Sequence, residues 1–355
     1  MVEHGRFQQL LDQTKTSVIG LLMNNAASVD QASAIPAENL AAISEVGLYS
    51  MVVPTELGGL GLEPAQVRHV MRLLGGACGS TAFSFAQHHS LVGAVAKSEN
   101  DELKQRWLAP LSADVLGGTA FAHIRRPGPP AIIATRTSNG WRLDGEAPWV
   151  TSWGNAKAFS VATISEAGEL VWVLVPGVGS SLMVPSKPMQ FMVLNATSTV
   201  RLRFDGVVVP ESDVIAVQSY ASWQSFDQRV SVRPNPLCLG IGDKALELLT
   251  QKGADTDGRF AERWSETVAR SESASLLVDT QAGDVEQIAA ARSECILVVQ
   301  SLTTALLAAV SGLGATIEHP AQRLAREALF YVVQAQSAAG KAATLTALRG
   351  ARSSR

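Results

Sequence analysis

Apolar residues recur at helical intervals in the first third of the chain. Over residues 7–110 they form stripes, such as that of Leu10, Leu11 and Val18, with the spacing of one helix face. A glycine-rich stretch at residues 54–62 interrupts this spacing, which then resumes. These positions predict a set of helices broken by one tight turn.

The pattern changes to short β-branched runs over residues 117–217. Two turn signals, Ser138–Asn139–Gly140 and Asp144–Gly145, separate the first of these runs. Regular short strands with such turns are typical of a small antiparallel sandwich or barrel. The predicted strands are Ala131–Thr137, Trp141–Leu143, Phe159–Ile164, Leu170–Val175 and Thr199–Phe204.

Helical spacing returns in the last third of the chain. Leu237–Thr250 and Val285–Ser311 are predicted helices, and Pro320 suits the first position of another. Long helices joined by short connections that contain glycine form bundles. The predicted domains are a helical domain in residues 1–115, a β-domain in residues 116–218 and a helical bundle in residues 219–355.

Charge and hydropathy exclude two classes of partner. The net charge is −3, and the only short basic cluster is Arg125–Arg126, so we expect no nucleic-acid partner. Cys295–Gly314 is free of charge, but its polar residues and the charged stretch before it favour a central buried helix over a membrane span. The first twenty residues lack the apolar run of a signal peptide, so we expect a cytoplasmic protein without a membrane partner.

The three cysteines, Cys78, Cys238 and Cys295, are far apart in the sequence and lie among apolar neighbours. None forms a CxxC or a Cys/His ligand spacing, so we predict neither a metal site nor a disulfide framework. Inert buried thiols fit these positions.

Three local motifs carry a family resemblance. They are Pro54–Gly61 (PTELGGLG), Gly140–Thr151 (GWRLDGEAPWVT) and Leu239–Leu246 (LGIGDKAL). In this order and spacing they resemble segments of the acyl-CoA dehydrogenases. The resemblance implies an α+β multidomain fold with an N-terminal helical domain, a central antiparallel β-sandwich or barrel and a C-terminal four-helix bundle. It also implies FAD as cofactor, a small-molecule or acyl-CoA substrate, and a homodimer or homotetramer.

The second motif predicts a flavin contact. A flat indole can lie against the tricyclic flavin ring, and a hydroxyl two residues further along a strand lies on the same face. By the resemblance, Trp149 and Thr151 bind the flavin, with the Thr151 hydroxyl at its N5 edge. The other interpretation is an ordinary strand with a buried tryptophan and a solvent-facing threonine.

A predicted strand at residues 117–124 lies where the family brings backbone against the flavin ring. By the resemblance, Phe121, His123 and Ile124 are further cofactor-binding residues, through main-chain groups that do not depend on side-chain identity. The family's hydroxyl, acid and Ser-Asp that follow are replaced by Arg125–Pro130 (RRPGPP), so the usual contacts to a CoA thioester are not expected.

The carboxylate that removes a proton alpha to a thioester in this family has no counterpart here. One of its two known places corresponds to Ala335, between Gln334 and Gln336, and the other falls near 228–230, close to Asp227. No catalytic residue is therefore assigned.

Other acid–base candidates are His88, His89 and His319, although His319 is most simply the cap of a helix.

The leading hypothesis is an FAD-dependent oxidoreductase of acyl-CoA dehydrogenase type. It would act on an acyl thioester or a related small molecule by chemistry other than glutamate-based α,β-dehydrogenation. The alternatives are a flavin-dependent monooxygenase on the same scaffold and a non-catalytic homologue that serves as a subunit or binding module.

Overall fold

The computed structural model of the protein describes the backbone of residues 2–350 and the side chains of residues 5–350. The first third of this part is helical, as predicted. Its apolar stripes meet in one core, where Leu22, Ile43, Met51 and Phe85 have no exposed surface and so remove apolar area from water. The helices are α1 (Val2–Gln13), α2 (Gly20–Gln31), α3 (Ala37–Glu45), α4 (Pro64–Ala77), α5 (Gly79–Lys97) and α6 (Asp101–Ala113), with a π-helical segment, Thr14–Ile19, between α1 and α2.

The glycine-rich stretch forms the predicted tight turn between α3 and α4. Gly58 has φ +82°, and a Cβ at Gly59 would lie 2.1 Å from the carbonyl oxygen of Val53. The Gly61 N–H donates to that same carbonyl at 2.9 Å. Glycine is required here because a side chain at position 59 would collide with the backbone.

The central region is one eight-stranded sheet that contains all five predicted strands. The strand order is β6-β7-β3-β2-β4-β5-β8, with β1 also paired to β4. The pairing is antiparallel except for β1 with β4 and β2 with β4, so the sheet is mixed. Long connections separate both parallel pairs, as parallel pairing requires. The strands are β1 (Gly117–Ala120), β2 (Ile132–Thr137), β3 (Gly140–Val150), β4 (Ala158–Ser165), β5 (Glu169–Pro176), β6 (Met183–Pro185), β7 (Val200–Pro210) and β8 (Val214–Ser219).

The last third is helical again and is organised around one long helix. Its helices are α7 (Tyr220–Val230), α8 (Pro236–Gln251), α9 (Arg259–Asp279), α10 (Val285–Val310), α11 (Pro320–Val333) and α12 (Ala338–Gly350). Helix α10 contacts α8, α9 and α11, which gives the predicted four-helix bundle, and α12 packs on it as well. Its inward residues Ile288, Val299, Leu302 and Leu306 are buried.

Helix α10 and the turn after it, Val285–Ala315, are long and apolar enough to cross a membrane by length and composition alone. The mean hydropathy of the most apolar window is 1.9, and 33 % of that window is buried inside the chain. One side therefore makes the core contacts expected of a central helix. The other side is open in the single chain, and Leu313 and Ile317 beyond it are more than half exposed.

Helices α4 and α8 cross at very short distance. A Cβ at Gly240 would lie 2.0 Å from the carbonyl oxygen of Arg72, and a Cβ at Gly75 would lie 2.5 Å from the Cα of Leu237. Side chains at these positions would hold the two backbones apart. The third sequence motif, through Gly240, thus brings the bundle into close contact with the N-terminal helices.

Candidate functional site

A cleft of about 840 Å³ opens where the three regions of the chain meet. Helix α5 contributes Phe83, Gln87 and Ser90, and the sheet region contributes Trp149 and Thr151 among others. The loop before β7 and the segment that joins α11 to α12 complete the wall. The cleft therefore depends on the relative placement of elements from every part of the sequence.

Trp149 reaches the cleft because strand β3 is irregular at its end. In the pairing of β3 with β7, Ala147 lies opposite Leu202 and Val150 opposite Val200, so β3 carries one extra residue between these pairs. Such a bulge is common beside functional sites and re-aims a side chain. The Trp149 side chain is 39 % exposed, and its ring lies 6.0 Å from that of Phe191 between centroids. A large part of the indole surface is thus available to a ligand.

Thr151 also lines the cleft, just beyond the end of β3, and it ends a chain of hydroxyl groups. Thr197 Oγ1 donates to the carbonyl oxygen of Leu194 at 2.7 Å. Thr199 Oγ1 lies 3.1 Å from Thr197 Oγ1 and 3.3 Å from Thr151 Oγ1. Since each hydroxyl has one hydrogen, all three bonds form only if Thr151 donates to Thr199 and Thr199 to Thr197. Thr151 then offers its lone pairs, as an acceptor, to an N–H group in the cleft.

Left-handed backbone conformations cluster around this chain of hydroxyls. Among residues 2–350, six residues other than glycine have positive φ, and they include Ser152 (73°), Leu194 (65°), Ser198 (45°) and Ala335 (51°). The Ser152 N–H donates to the carbonyl oxygen of Thr197 at 2.7 Å, which ties the end of β3 to the loop before β7. Strained residues persist only where the surrounding structure holds them, and they are frequent at ligand sites.

The prediction for the segment after β1 was wrong beyond Ala120. The backbone turns into a short 3-10 helix, in which the Ile124 N–H donates to the carbonyl oxygen of Phe121 at 3.0 Å. A bidentate ion pair holds this turn, with Arg125 Nε and Nη2 at 2.7 and 2.6 Å from the Asp227 carboxylate. Because Asp227 lies more than a hundred positions away in sequence, local patterns could not reveal the turn.

The structure brings three of the five predicted cofactor-binding residues to the cleft. Phe121, Trp149 and Thr151 line it, whereas His123 and Ile124 do not. The His123 ring is buried and its Nε2 lies 2.8 Å from the carbonyl oxygen of Ala162, and this burial lowers the pKa of His123. Ile124 packs in a small apolar cluster of the sheet. Their roles remain predictions that concern backbone groups only.

The cleft is positively charged. Arg125, Arg126 and Lys341 line it, and no aspartate or glutamate is found among its described lining residues. Arg125 is neutralised by Asp227, which leaves Arg126 and Lys341, both exposed, to face a ligand. Oriented cations without a competing carboxylate favour an anionic group such as a phosphate.

The position where a catalytic acid was sought does lie on the wall of the cleft. Gln334, Ala335 and Gln336 all line it, so a methyl group and two amides stand there. Asp227 lies outside the lining and is engaged by Arg125. Two further buried acids also lie outside the lining: Glu327, which pairs with Arg323 at 2.8 Å, and Asp30, which pairs with Arg326. Within the described residues the cleft therefore has no carboxylate that could act as a general base.

Two of the three histidine candidates, His88 and His319, have structural roles in the fold. The fully buried His88 lies 3.1 Å from the Tyr49 carbonyl oxygen through Nε2 and accepts from the Gly117 N–H at 3.0 Å through Nδ1. Its burial lowers the pKa of His88 to about 3, so the ring is neutral. The Nδ1 atom of His319 accepts from the Ala321 N–H at 3.1 Å, which confirms the predicted helix cap.

Comparison with known proteins identifies the family. Residues 7–114 match the family described as acyl-CoA dehydrogenase, N-terminal domain. A short-chain specific acyl-CoA dehydrogenase from Bos taurus is 28 % identical over 235 residues, which cover 62 % of this chain and 56 % of that protein. One from Clostridium acetobutylicum is 23 % identical over 334 residues, which cover 85 % of this chain and 87 % of that protein. Residues 7–114 thus match the acyl-CoA dehydrogenase family, and sequence similarity to acyl-CoA dehydrogenases extends over most of the chain.

Solved structures of the superfamily share the whole fold. A glutaryl-CoA dehydrogenase from Mycobacterium smegmatis in complex with FADH2 superposes with a TM-score of 0.78 at 17 % identity, covering 99 % of this chain and 96 % of that chain. A dibenzothiophene monooxygenase from Paenibacillus has a TM-score of 0.78 at 19 % identity, covering 97 % and 98 %. These likenesses show that the chain has the fold of these two proteins. The matched sequence spans only 56 % of the bovine and 61 % of the human short-chain enzyme.

Proposed function

We propose that the protein is a flavin-dependent oxidoreductase that holds FAD in the cleft, with the flavin ring against Trp149 and Thr151. The observation that supports this proposal is that the Trp149 indole and the Thr151 hydroxyl line one cavity of about 840 Å³. FAD, when bound, would supply a two-electron acceptor or donor. The residues present fit the cofactor: an accessible aromatic face, a hydrogen-bond acceptor beside it, and Arg126 and Lys341 for phosphate groups.

The substrate chemistry proposed is not glutamate-based α,β-dehydrogenation. That reaction needs a carboxylate within hydrogen-bond reach of the substrate, and the wall carries Ala335 between two glutamines instead. We propose an acyl thioester or a related small molecule as substrate, oriented by the amides of Gln87, Gln334 and Gln336.

A second candidate is a monooxygenase that works with reduced flavin. It is favoured by the direction of the hydroxyl chain, because Thr151 would accept a hydrogen bond and the N5 position carries an N–H only in the reduced ring. The missing acid supports the same candidate, since oxygen-dependent hydroxylation needs no proton removal alpha to a carbonyl.

The first experiment measures whether the purified protein carries flavin, by its visible absorption and by mass spectrometry of the cofactor released on denaturation. Trp149→Ala should weaken FAD binding by about tenfold, because ring stacking and apolar area are both lost. The matched control is Phe226→Ala, which removes an aromatic ring that is 53 % exposed and lies outside the cleft. Equal FAD affinity in both variants would contradict the proposed site, and failure of the unmodified protein to bind FAD would favour a non-catalytic homologue.

A second experiment separates the two chemistries. Anaerobic mixing of the flavin-loaded protein with butyryl-CoA should leave the flavin oxidised, because no carboxylate is present to start dehydrogenation. Rapid bleaching of the flavin would show that another base serves and would refute the assignment of chemistry.

We also propose a homodimer or homotetramer that covers the open side of α10. The support is the high hydropathy of this helix together with the small buried share of its most apolar window. Sedimentation of the purified protein tests this assembly, and a stable monomer at micromolar concentration would refute it.

A further inference from the structure

A second cavity of about 430 Å³ lies behind the cleft, between α4, α5 and the first turn of α8. It shares Phe83, Gln87 and Gln334 with the cleft, so the same three side chains form the partition between the two spaces. No residue proposed above to contact FAD lines this second cavity. A ligand of the second cavity would therefore contact different residues from those proposed to bind FAD.

One wall of the second cavity is cationic. Arg68, Lys97 and Arg233 line it, and its described lining residues include no aspartate or glutamate. Arg68, only 7 % exposed, and Arg233 share the carboxylate of Asp279, which lies 2.5 Å from Arg68 Nη1 and 2.7 Å from Arg233 Nη2. Glu272, 3.4 Å from Arg68 Nε, is a more distant and half-exposed partner. The Lys97 ammonium has no ion-pair partner among the described residues.

One buried donor of the lining residues, Nε of Arg233, has no hydrogen-bond partner among the described residues. A buried donor without a partner is costly, and native structures rarely leave one unless a ligand or water meets it. The guanidinium of Arg233 is itself poorly stabilised, since burial lowers the pKa of Arg233, and the Asp279 carboxylate only partly offsets this effect. Both features would be relieved by an anion that accepts hydrogen bonds.

The remaining wall defines the rest of the ligand. Val52, Leu62, Val67 and Met71 supply apolar surface in the same cavity. Space of this size, lined by both apolar and cationic side chains, fits a small molecule with a hydrocarbon body and one charged end. Planar carboxylates match guanidinium donors in geometry as well as in charge.

We propose that the second cavity is a binding site for a small organic carboxylate, held by Arg233, Lys97 and Arg68 with its apolar body against α4. This site goes beyond the proposed flavin function. The carboxylate could belong to a free acid or to the far end of a substrate that enters from the cleft past Gln87.

The test measures binding of 4-fluorobenzoate to the full chain by fluorine NMR, with 4-fluorobenzyl alcohol as the uncharged analogue. We expect saturable binding of the acid and at least about tenfold weaker binding of the alcohol, because the charged hydrogen bonds are lost. Arg233→Gln should weaken binding of the acid by about tenfold, and Lys97→Gln, at an exposed position that cannot disturb the core, by a smaller factor. The matched control Arg270→Gln, a half-exposed residue of α9 outside both cavities, should bind like the unmodified protein.

No saturable binding, equal affinity for acid and alcohol, or equal affinity of Lys97→Gln and Arg270→Gln for the acid would each overturn the proposal. Flavin content is recorded on the same samples, so loss of FAD binding with retained carboxylate binding contradicts only the proposed function. The source of the carboxylate follows from the flavin spectrum. If the carboxylate is the far end of a substrate, 4-fluorobenzoate should perturb the flavin spectrum through the shared partition. If it belongs to a separate free acid, the flavin spectrum should stay unchanged.

Discussion

The buried His88 should make the stability of the protein depend steeply on pH in the mildly acidic range. Its ring joins helix α5 to the N-terminal end of β1, with Nε2 donating to Tyr49 and Nδ1 accepting from Gly117. Protonation would place a second ring hydrogen against the Gly117 N–H and a charge in a site without solvent. The folded protein therefore resists protonation of this ring, and the unfolded chain does not.

The size of the effect follows from the two pKa values. Burial lowers the pKa of His88 from 6.5 to about 3. Between these values the unfolded chain binds more protons than the folded protein, so stability is present above the unfolded pKa and is lost as the pH falls through the window. For a shift of this size, lowering the pH from about 7 to about 5 costs about 2 kcal/mol from this residue alone.

Urea unfolding at several pH values between these limits measures the effect, with His88→Gln as the variant. Glutamine is neutral throughout and can still donate and accept, so the variant should lose about 2 kcal/mol less than the unmodified protein over the same interval. His89, whose pKa burial lowers to about 4, contributes a similar slope to both proteins and cancels in the comparison. An unchanged slope in His88→Gln would refute the reasoning.

Four further substitutions test the packing and the local contacts. Gly240→Ala should destabilise the protein by about 3 kcal/mol in urea unfolding, because the new Cβ would lie 2.0 Å from a carbonyl oxygen of α4. Gly20→Ala is the control: it has open space around it and should stabilise the protein by up to about 1 kcal/mol. Asp227→Asn should cost about 2 kcal/mol by thermal or urea unfolding, since it removes the charged partner of Arg125; an unchanged midpoint would mean that the turn is held by other contacts. His319→Ala should lower the free energy of unfolding by about 1 kcal/mol through loss of the helix cap. An unchanged stability would mean that water accepts the hydrogen bond of the Ala321 N–H equally well.

Much of the fold was predictable because local and tertiary preferences agree there. The turn between β2 and β3 follows from Ser138–Asn139–Gly140, and in the structure Thr137 pairs with Gly140 across it. Helix α11 starts at Pro320 with His319 as its cap, as the residue types indicate. In both cases neighbouring residues alone decide the conformation.

Elements without a local signal were not predicted. Helix α9 has charged or hydroxyl-bearing residues along most of its length, and it is held by contacts with α10. Helix α12 is short and rich in alanine and glycine. The parallel pairing of β1 with β4 depends on a strand far along the chain, and the local hydrophobic pattern carries no information about such a partner.

The residues of the cleft also fall into these two groups, those with a local sequence signal and those without one. Trp149 and Thr151 were found through a local motif, and both line the cleft. Thr197 and Thr199, which complete the hydroxyl chain, come from the loop before β7 and carry no motif of their own. The turn at Phe121 is fixed by an ion pair over a long sequence separation. Sequence reasoning thus located the cleft-facing ends of single elements and missed the contacts made between elements.

The segment between α11 and α12 connects these observations. Helix α11 ends at Val333, and the chain then places Gln334, Ala335 and Gln336 on the wall of the cleft, with Ala335 in a left-handed conformation. The backbone thus brings this segment to the cleft, and its side chains there are neutral. A cleft lined by amides, hydroxyls and unpaired cations can orient and stabilise a negatively charged group, but it cannot take a proton from carbon at neutral pH. Under the proposed function, chemistry at this site would therefore begin with electron transfer or with binding of an anion, and not with proton removal by the described residues of the wall.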